Sequence, residues 1–73
     1  MGKKWEYNSI WELRDYEGKL NIVTKKGAEH AGFVCLVEDE DEMDEYECEC
    51  VFIDCEDGTW MIFANEIERV EKL

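Results

Sequence analysis

From residue 19 onward, apolar and polar side chains alternate with a period of two, and the chain contains no proline to interrupt the pattern. Successive side chains of a β-strand point to opposite faces, so this period is typical of strands with one buried face. In the second predicted strand, for example, we expect Phe33, Cys35 and Val37 to share a face. The sequence therefore predicts a mainly β fold, with strands within about residues 19–72.

The second half of the chain adds two further strand signals. The segment YECECVFID, residues 46–54, alternates at first but becomes apolar on both faces from Val51 onward, which predicts a long strand that bends or is covered on both sides. Asp57-Gly58 is a strong hairpin signal. We predict five strands, the last containing Ile67. So short a meander must bend strongly to cover its apolar face, which indicates a small barrel.

A short helix is predicted before these strands, over about residues 9–17. Ser9 and Glu12 fit a capping box, in which each side chain accepts a hydrogen bond from a free backbone amide of the other. Gly18 suits the left-handed position just beyond a helix C-terminus. The apolar residues between these signals recur every three positions, so we expect them to form one buried stripe: Ile10, Leu13 and Tyr16.

The chain of 73 residues is long enough for one domain, 1–73, and its charge is strongly asymmetric. The net charge is −12; residues 1–26 carry +2, whereas residues 27–68 hold fifteen Asp or Glu and no Lys or Arg. Such a charge repels phosphate backbones and disfavours direct nucleic-acid binding. It favours a basic protein surface as the partner, including that of a nucleic-acid-binding protein.

The most acidic stretch, EDEDEMDE at residues 38–45, has three interpretations: a metal loop, a solvated turn or a docking surface. A calcium loop starting at Asp39 fails, because Asp44 stands where the loop needs glycine and Cys50 where it needs glutamate. Solvated charge runs are common. We favour a protein-facing acidic surface, made of Asp39, Glu40, Asp41, Glu42, Asp44, Glu45, Glu47 and Glu49.

The cysteines, the aromatic residues and the single histidine give weaker signals. Cys35, Cys48 and Cys50 are interpreted mainly as core fillers, with a three-thiolate zinc site as the alternative. Trp5 and Tyr7 either pack against the domain or contact a partner. With one histidine and no nucleophile motif, the sequence indicates neither an enzyme nor a cofactor. We expect no membrane span or signal peptide, reduced thiols and a cytoplasmic location.

The order of elements resembles the Sm-like, or SH3-like, small β-barrel superfamily. The resemblance rests on a helix followed by LNIVTKKGAEHAGFV and, after a variable loop, VFIDCEDGTWMIFANEIERVE. It implies a five-stranded, strongly bent barrel, and family members commonly bind RNA as rings. Two RNA-binding signatures of the family differ here: the Asp-x-x-x-Asn loop is missing after GFVCLVE, and Asp57-Gly58 replaces Arg-Gly.

The acidity and the size of the chain are similar to those of the Sm-like inhibitors of bacterial Rho factor. We therefore expect a non-enzymatic, acidic protein-binding module with a regulatory or inhibitory role. Two alternatives stay open: a nucleic-acid mimic made by a mobile element to block a basic groove, and an RNA-binding Sm-like ring subunit. The sequence is compatible with a homo-oligomer and does not identify the partner.

Overall fold

Six antiparallel strands form one sheet, on which a short helix packs, in the part of the chain that the computed structural model describes, residues 3–39 and 48–73. In chain order the elements are β1 (Lys3–Lys4), α1 (Trp11–Asp15), β2 (Leu20–Thr24), β3 (Glu29–Glu38), β4 (Cys50–Cys55), β5 (Gly58–Phe63), a 3-10 turn (Ala64–Glu66) and β6 (Ile67–Lys72). The prediction of a mainly β fold is confirmed.

The strands lie in the order β1-β6-β2-β3-β4-β5. β2 to β5 form a meander, and β6 returns to pair with β2 in the middle of the sheet. The sequence analysis missed β1, which pairs with β6 and gives a sixth strand. In residues 3–39 and 48–73 no pairing joins β1 to β5, so the sheet is open and the predicted five-stranded barrel is not seen. β1 occupies the side of β6 that closure would have used.

One face of the sheet and the helix enclose the hydrophobic core. Val51 and Ile53, alternate residues of β4, reach it as the period of two predicts. In β6 the buried residues are Ile67 and Val70, three positions apart, and the register of β2 against β6 shifts between Val23 and Thr24. Leu13 of α1 is fully buried in the same cluster. Seven partly buried side chains, including Trp5 and Tyr7, pack around its margin. The buried cluster consists of Ile10, Leu13, Leu20, Ile22, Val37, Val51, Ile53, Ile62, Ile67 and Val70.

The helix is shorter than predicted and begins later than expected, at Trp11, and only the half of the capping box made by Glu12 forms. The Glu12 carboxylate accepts a hydrogen bond from the Ser9 amide at 2.9 Å, and the Ser9 hydroxyl accepts one from the Trp11 amide at 3.3 Å. α1 ends at Asp15. Gly18 does not adopt a positive φ, so its predicted role as a left-handed cap is wrong. A Cβ atom at Gly18 would lie 2.7 Å from the Tyr16 ring, which would have to shift.

A bulge in β3 separates two residues that were expected to share a face. The register of β3 against β4 shifts between Val34 and Leu36. Because one extra residue inverts the alternation, Phe33 is 53% exposed whereas Val37 is buried. The predicted common face of Phe33, Cys35 and Val37 is therefore wrong.

All five residues of β2 are buried, and the side-chain nitrogen of Asn21 has two hydrogen-bond partners. The Asn21 side-chain amide donates hydrogen bonds to Glu29 of β3 and Glu71 of β6, each at 2.9 Å. The bond from Asn21, followed by one from Arg69, lowers the pKa of Glu71. A single amide on β2 thus joins the carboxylates of the two strands that flank it.

We expect Gly32→Ala to destabilise the fold by about 1–3 kcal/mol, the usual cost of forcing extra atoms into a packed site. A Cβ atom there would collide with the Asp54 carbonyl oxygen, and backbone cannot move aside as a side chain can. Chemical denaturation measures the change. Ala31→Ser is the control, because Ala31 is the exposed neighbour of Gly32 in β3 and the substitution adds one atom at the surface. Equal stability of Gly32→Ala and the native protein would contradict this packing.

We expect Asn21→Ala to lower the free energy of unfolding by about 1–3 kcal/mol, because two carboxylates lose their shared donor in a half-buried site. The matched control is Asn65→Ala, which truncates an exposed asparagine. Urea denaturation of both variants at neutral pH compares them. If the two variants are equally stable, the hydrogen bonds of the Asn21 amide to β3 and β6 do not contribute to the free energy of unfolding.

Candidate protein-docking surface

The face of the sheet opposite the core carries an apolar row across three strands. Leu36 of β3, Phe52 of β4 and Met61 of β5 lie directly opposite one another in the ladder. Cross-strand neighbours share a face, so these side chains form a continuous row. Leu36 is 44% and Met61 39% exposed, and Phe52 is half-buried. Together with the exposed Phe33, they are called the apolar face below.

The bulge in β3 creates this face. Next to the row Leu36-Phe52-Met61 lies the buried row Val37-Val51-Ile62, which belongs to the core. Phe33 lies on the far side of the bulge, opposite Asp54. The bulge thus turns an additional aromatic side chain outward. Three large apolar side chains with more than a third of their area exposed on one sheet are a typical sign of an interaction site.

Carboxylates border the apolar face at both of its ends. Glu38 and Asp39 lie at the end of β3, and Asp54, Glu56 and Asp57 lie at or beside the β4–β5 hairpin. The sequence between residues 27 and 68 contains no Lys or Arg, although Lys19 of an earlier segment lines a cavity with Glu56 and Asp57 at the hairpin end. The surface is therefore apolar at its centre and negative at its rim.

The pKa values of two thiols near these carboxylates are also raised. Burial raises the pKa of Cys50, and the Glu38 carboxylate raises it further. Burial likewise raises the pKa of Cys55, followed by Asp57 and Asp54. Both thiols are therefore held in the neutral form, which is the opposite of what a thiolate nucleophile or a metal ligand requires.

An exposed tryptophan lies at the hairpin end of the sheet, on the side opposite the apolar face, because Trp60 pairs with the core residue Ile53. Trp60 is 43% exposed, and its indole N–H donates a hydrogen bond to the Asp57 carboxylate at 3.1 Å. The centroids of the His30 and Trp60 rings are 4.7 Å apart. A cavity of about 340 Å³ beside this corner is lined by Lys19, Glu29 and His30 among others. His30 thus packs on an aromatic ring at the hairpin end of the sheet.

The predicted acidic surface is only partly within the described residues. Asp39 is exposed at the end of β3, and Glu49 is half-buried, with its carbonyl oxygen accepting a hydrogen bond from the Ala64 amide at 2.8 Å. The remaining members lie outside the described residues: Glu40, Asp41, Glu42, Asp44, Glu45 and Glu47.

The cysteines and the aromatic residues that the sequence analysis singled out lie in different parts of the structure. Cys50 is buried and Cys48 half-buried, whereas Cys35 is exposed, with its thiol donating to the Phe52 carbonyl oxygen. Among residues 3–39 and 48–73, no three His, Cys, Asp or Glu side chains are grouped to hold a metal ion. Trp5 and Tyr7 pack against the core, 6.0 Å apart between ring centroids, which agrees with the packing interpretation.

Sequence reasoning missed the apolar face, although one signal pointed to it. Residues 51–53 were recognised as apolar on both sides, and Phe52 is the member of the face in that segment. The bulge has no comparable signature, so Phe33 and Leu36 could not be assigned to the outer face from alternation alone.

Comparison of the chain with protein-family models, curated proteins and solved structures found no match in any of the three.

No helix in the described ranges, including the five-residue α1, has the length and apolarity needed to cross a membrane.

The raised thiol pKa values predict a loss of stability in mild alkali. Unfolding returns Cys50 and Cys55 to the ordinary thiol pKa of about 8.5, so their contribution is complete below that pH and is lost progressively above it. Urea denaturation between about pH 7 and pH 9.5 measures this slope. We expect Cys50→Ala to flatten the slope and Cys35→Ala, at an exposed position, to leave it unchanged. Equal slopes in all three proteins would contradict the prediction.

Proposed function

We propose that the protein is a non-enzymatic, acidic binding module that docks on a basic protein surface in a regulatory or inhibitory role. The observation that carries this proposal is the apolar face formed by Phe33, Leu36, Phe52 and Met61 inside a rim of carboxylates. A partner that complements it combines apolar side chains with lysine or arginine. A cytoplasmic location is part of the same proposal.

The two components of the surface have different roles in binding. Complete burial of one large apolar side chain contributes about 1.5–3 kcal/mol, so the exposed parts of Phe33, Leu36 and Met61 supply anchors. Exposed ion pairs contribute only about 0.2–1 kcal/mol each. The carboxylates therefore act mainly on the association rate, by attracting a basic partner from a distance. The acidic run at residues 38–45 increases this charge.

Membership of the Sm-like, or SH3-like, barrel superfamily is a further part of the proposal. Its support is topological: β6 returns after the β4–β5 hairpin to pair with β2, as the closing strand of the resemblance would. RNA binding by a ring subunit is a less suitable function for this chain, because carboxylates rather than cations border the apolar face. A mimic of nucleic acid would use the same surface and differ only in its target.

The proposal predicts separate kinetic effects for the apolar and acidic residues. The partner is captured in cells of the source organism by a photo-crosslinker at position 33, and is then purified. We expect Phe33→Ser with Leu36→Ser to raise the dissociation rate about tenfold or more. Asp54→Asn with Asp57→Asn should instead slow association and weaken its dependence on salt from about 50 to about 500 mM. The amide oxygen introduced by Asp57→Asn keeps an acceptor for the Trp60 indole N–H.

The matched control neutralises two exposed carboxylates elsewhere, by Glu6→Gln with Glu68→Gln. This variant changes the net charge by the same amount but leaves the rim of the apolar face intact. The proposal is wrong if the serine variant dissociates at the native rate, or if the control slows association as much as the Asp54 and Asp57 substitutions do.

A further inference from the structure

β5 is an edge strand, and its side remote from β4 carries no partner strand among residues 3–39 and 48–73. In an antiparallel ladder, alternate residues direct their backbone N–H and C=O groups toward the neighbouring strand and the others direct them away. Half of the backbone groups of β5 therefore face away from β4. Its six residues span about 20 Å, the length of a short peptide strand.

The two edges of the sheet differ in how they are protected. Natural proteins prevent edge pairing with very short strands, lysines or prolines. β1 has both of the first two features, because it consists only of Lys3 and Lys4. β5 has none of them: its sequence, GTWMIF, contains no charge and no proline, and Gly58 to Met61 are exposed. One edge is protected, whereas the other, from Gly58 to Ile62, has none of these protections and no partner strand in the part of the chain that the structure describes.

Charge indicates what pairs with β5. The hairpin end of the strand carries Asp54, Glu56 and Asp57. Its other end lies beside Glu49, whose carbonyl oxygen accepts a hydrogen bond from the amide of Ala64, the residue after β5. A second copy of this chain, pairing β5 with β5, would bring these carboxylates together and be repelled. A segment bearing lysine or arginine would be attracted at both ends.

We propose that β5 binds an extended basic segment of the partner as an added strand; this rests on the proposed function and specifies how the partner is held. Backbone hydrogen bonds to β5 provide the main contact, as in other cases of β-strand addition. Alternate side chains of the segment lie beside Met61 and lengthen the row Leu36-Phe52-Met61 by one residue. Its basic residues face the carboxylates at the two ends of β5.

The test uses a peptide of about eight residues in which lysine and valine alternate, long enough to cover β5. Its matched control has the same sequence with N-methyl groups on alternate backbone nitrogens, which keeps charge and side chains but removes the donors along one edge. Fluorescence anisotropy measures affinity, and amide hydrogen exchange of the protein locates the bound strand. We expect the N-methylated peptide to bind about tenfold more weakly or worse, and protection to increase in β5.

A pair of protein variants tests the same edge from the other side. Thr59→Lys places a blocking charge on β5, and Asn65→Lys adds the same charge at an exposed position outside the strand. The first should weaken peptide binding strongly and the second only slightly. Thermal unfolding confirms that both variants are folded.

Three results would overturn strand addition. If the N-methylated peptide binds as tightly as its parent, charge and side chains suffice; the apolar face would then still bind the partner, and the proposed function would stand. If neither peptide binds, β5 is not a receptor for basic strands, and the serine variants decide the proposed function separately. If β5 amides are already protected in a dimer without peptide, the edge pairs with a second copy.

Discussion

The structure depends on keeping β2 completely buried at the centre of the sheet. Its five residues have neighbouring strands on both sides, and the core-facing side chains of Leu20 and Ile22 are fully covered. A polar residue in such a strand must find partners, since an unsatisfied buried amide is costly. Asn21 finds them on β3 and β6, and so the central strand also fixes the positions of both neighbours.

The strands on the two sides of β2 differ in the charge of their side chains. The β1–β6 side holds Lys3, Lys4, Arg69 and Lys72, and the Lys72 ammonium lies 4.5 Å from the Trp5 ring. The sequence of β3 to β5 supplies carboxylates and no Lys or Arg. Carboxylates that repel one another therefore lie close together beside the apolar face. This arrangement has a cost for stability, and binding of a basic partner would relieve it.

The sequence predicted the features that depend on neighbouring residues and missed those that depend on backbone geometry. The presence of a short helix before the strands, the hairpin near Asp57-Gly58 and the buried residues of β4 follow from local patterns. Even there the structure differs in detail, since Glu56 and Asp57 form the turn and Gly58 begins β5. The bulge after Val34 and the pairing of β1 with β6 were missed, because each is set by pairing between separate segments. The early end of α1 at Asp15 was missed as well.

The pairing of β6 with β2 also determines how the chain must fold. A turn of a few residues brings β3 to β2, but Glu71 meets Asn21 across 50 positions of sequence. The loop between them must close before the centre of the sheet is complete, and folds with such distant pairing form in milliseconds to seconds rather than microseconds. Until then β2 is itself an unprotected edge. Any partly folded chain in which β6 has not yet paired would therefore expose β2 as a second strand edge.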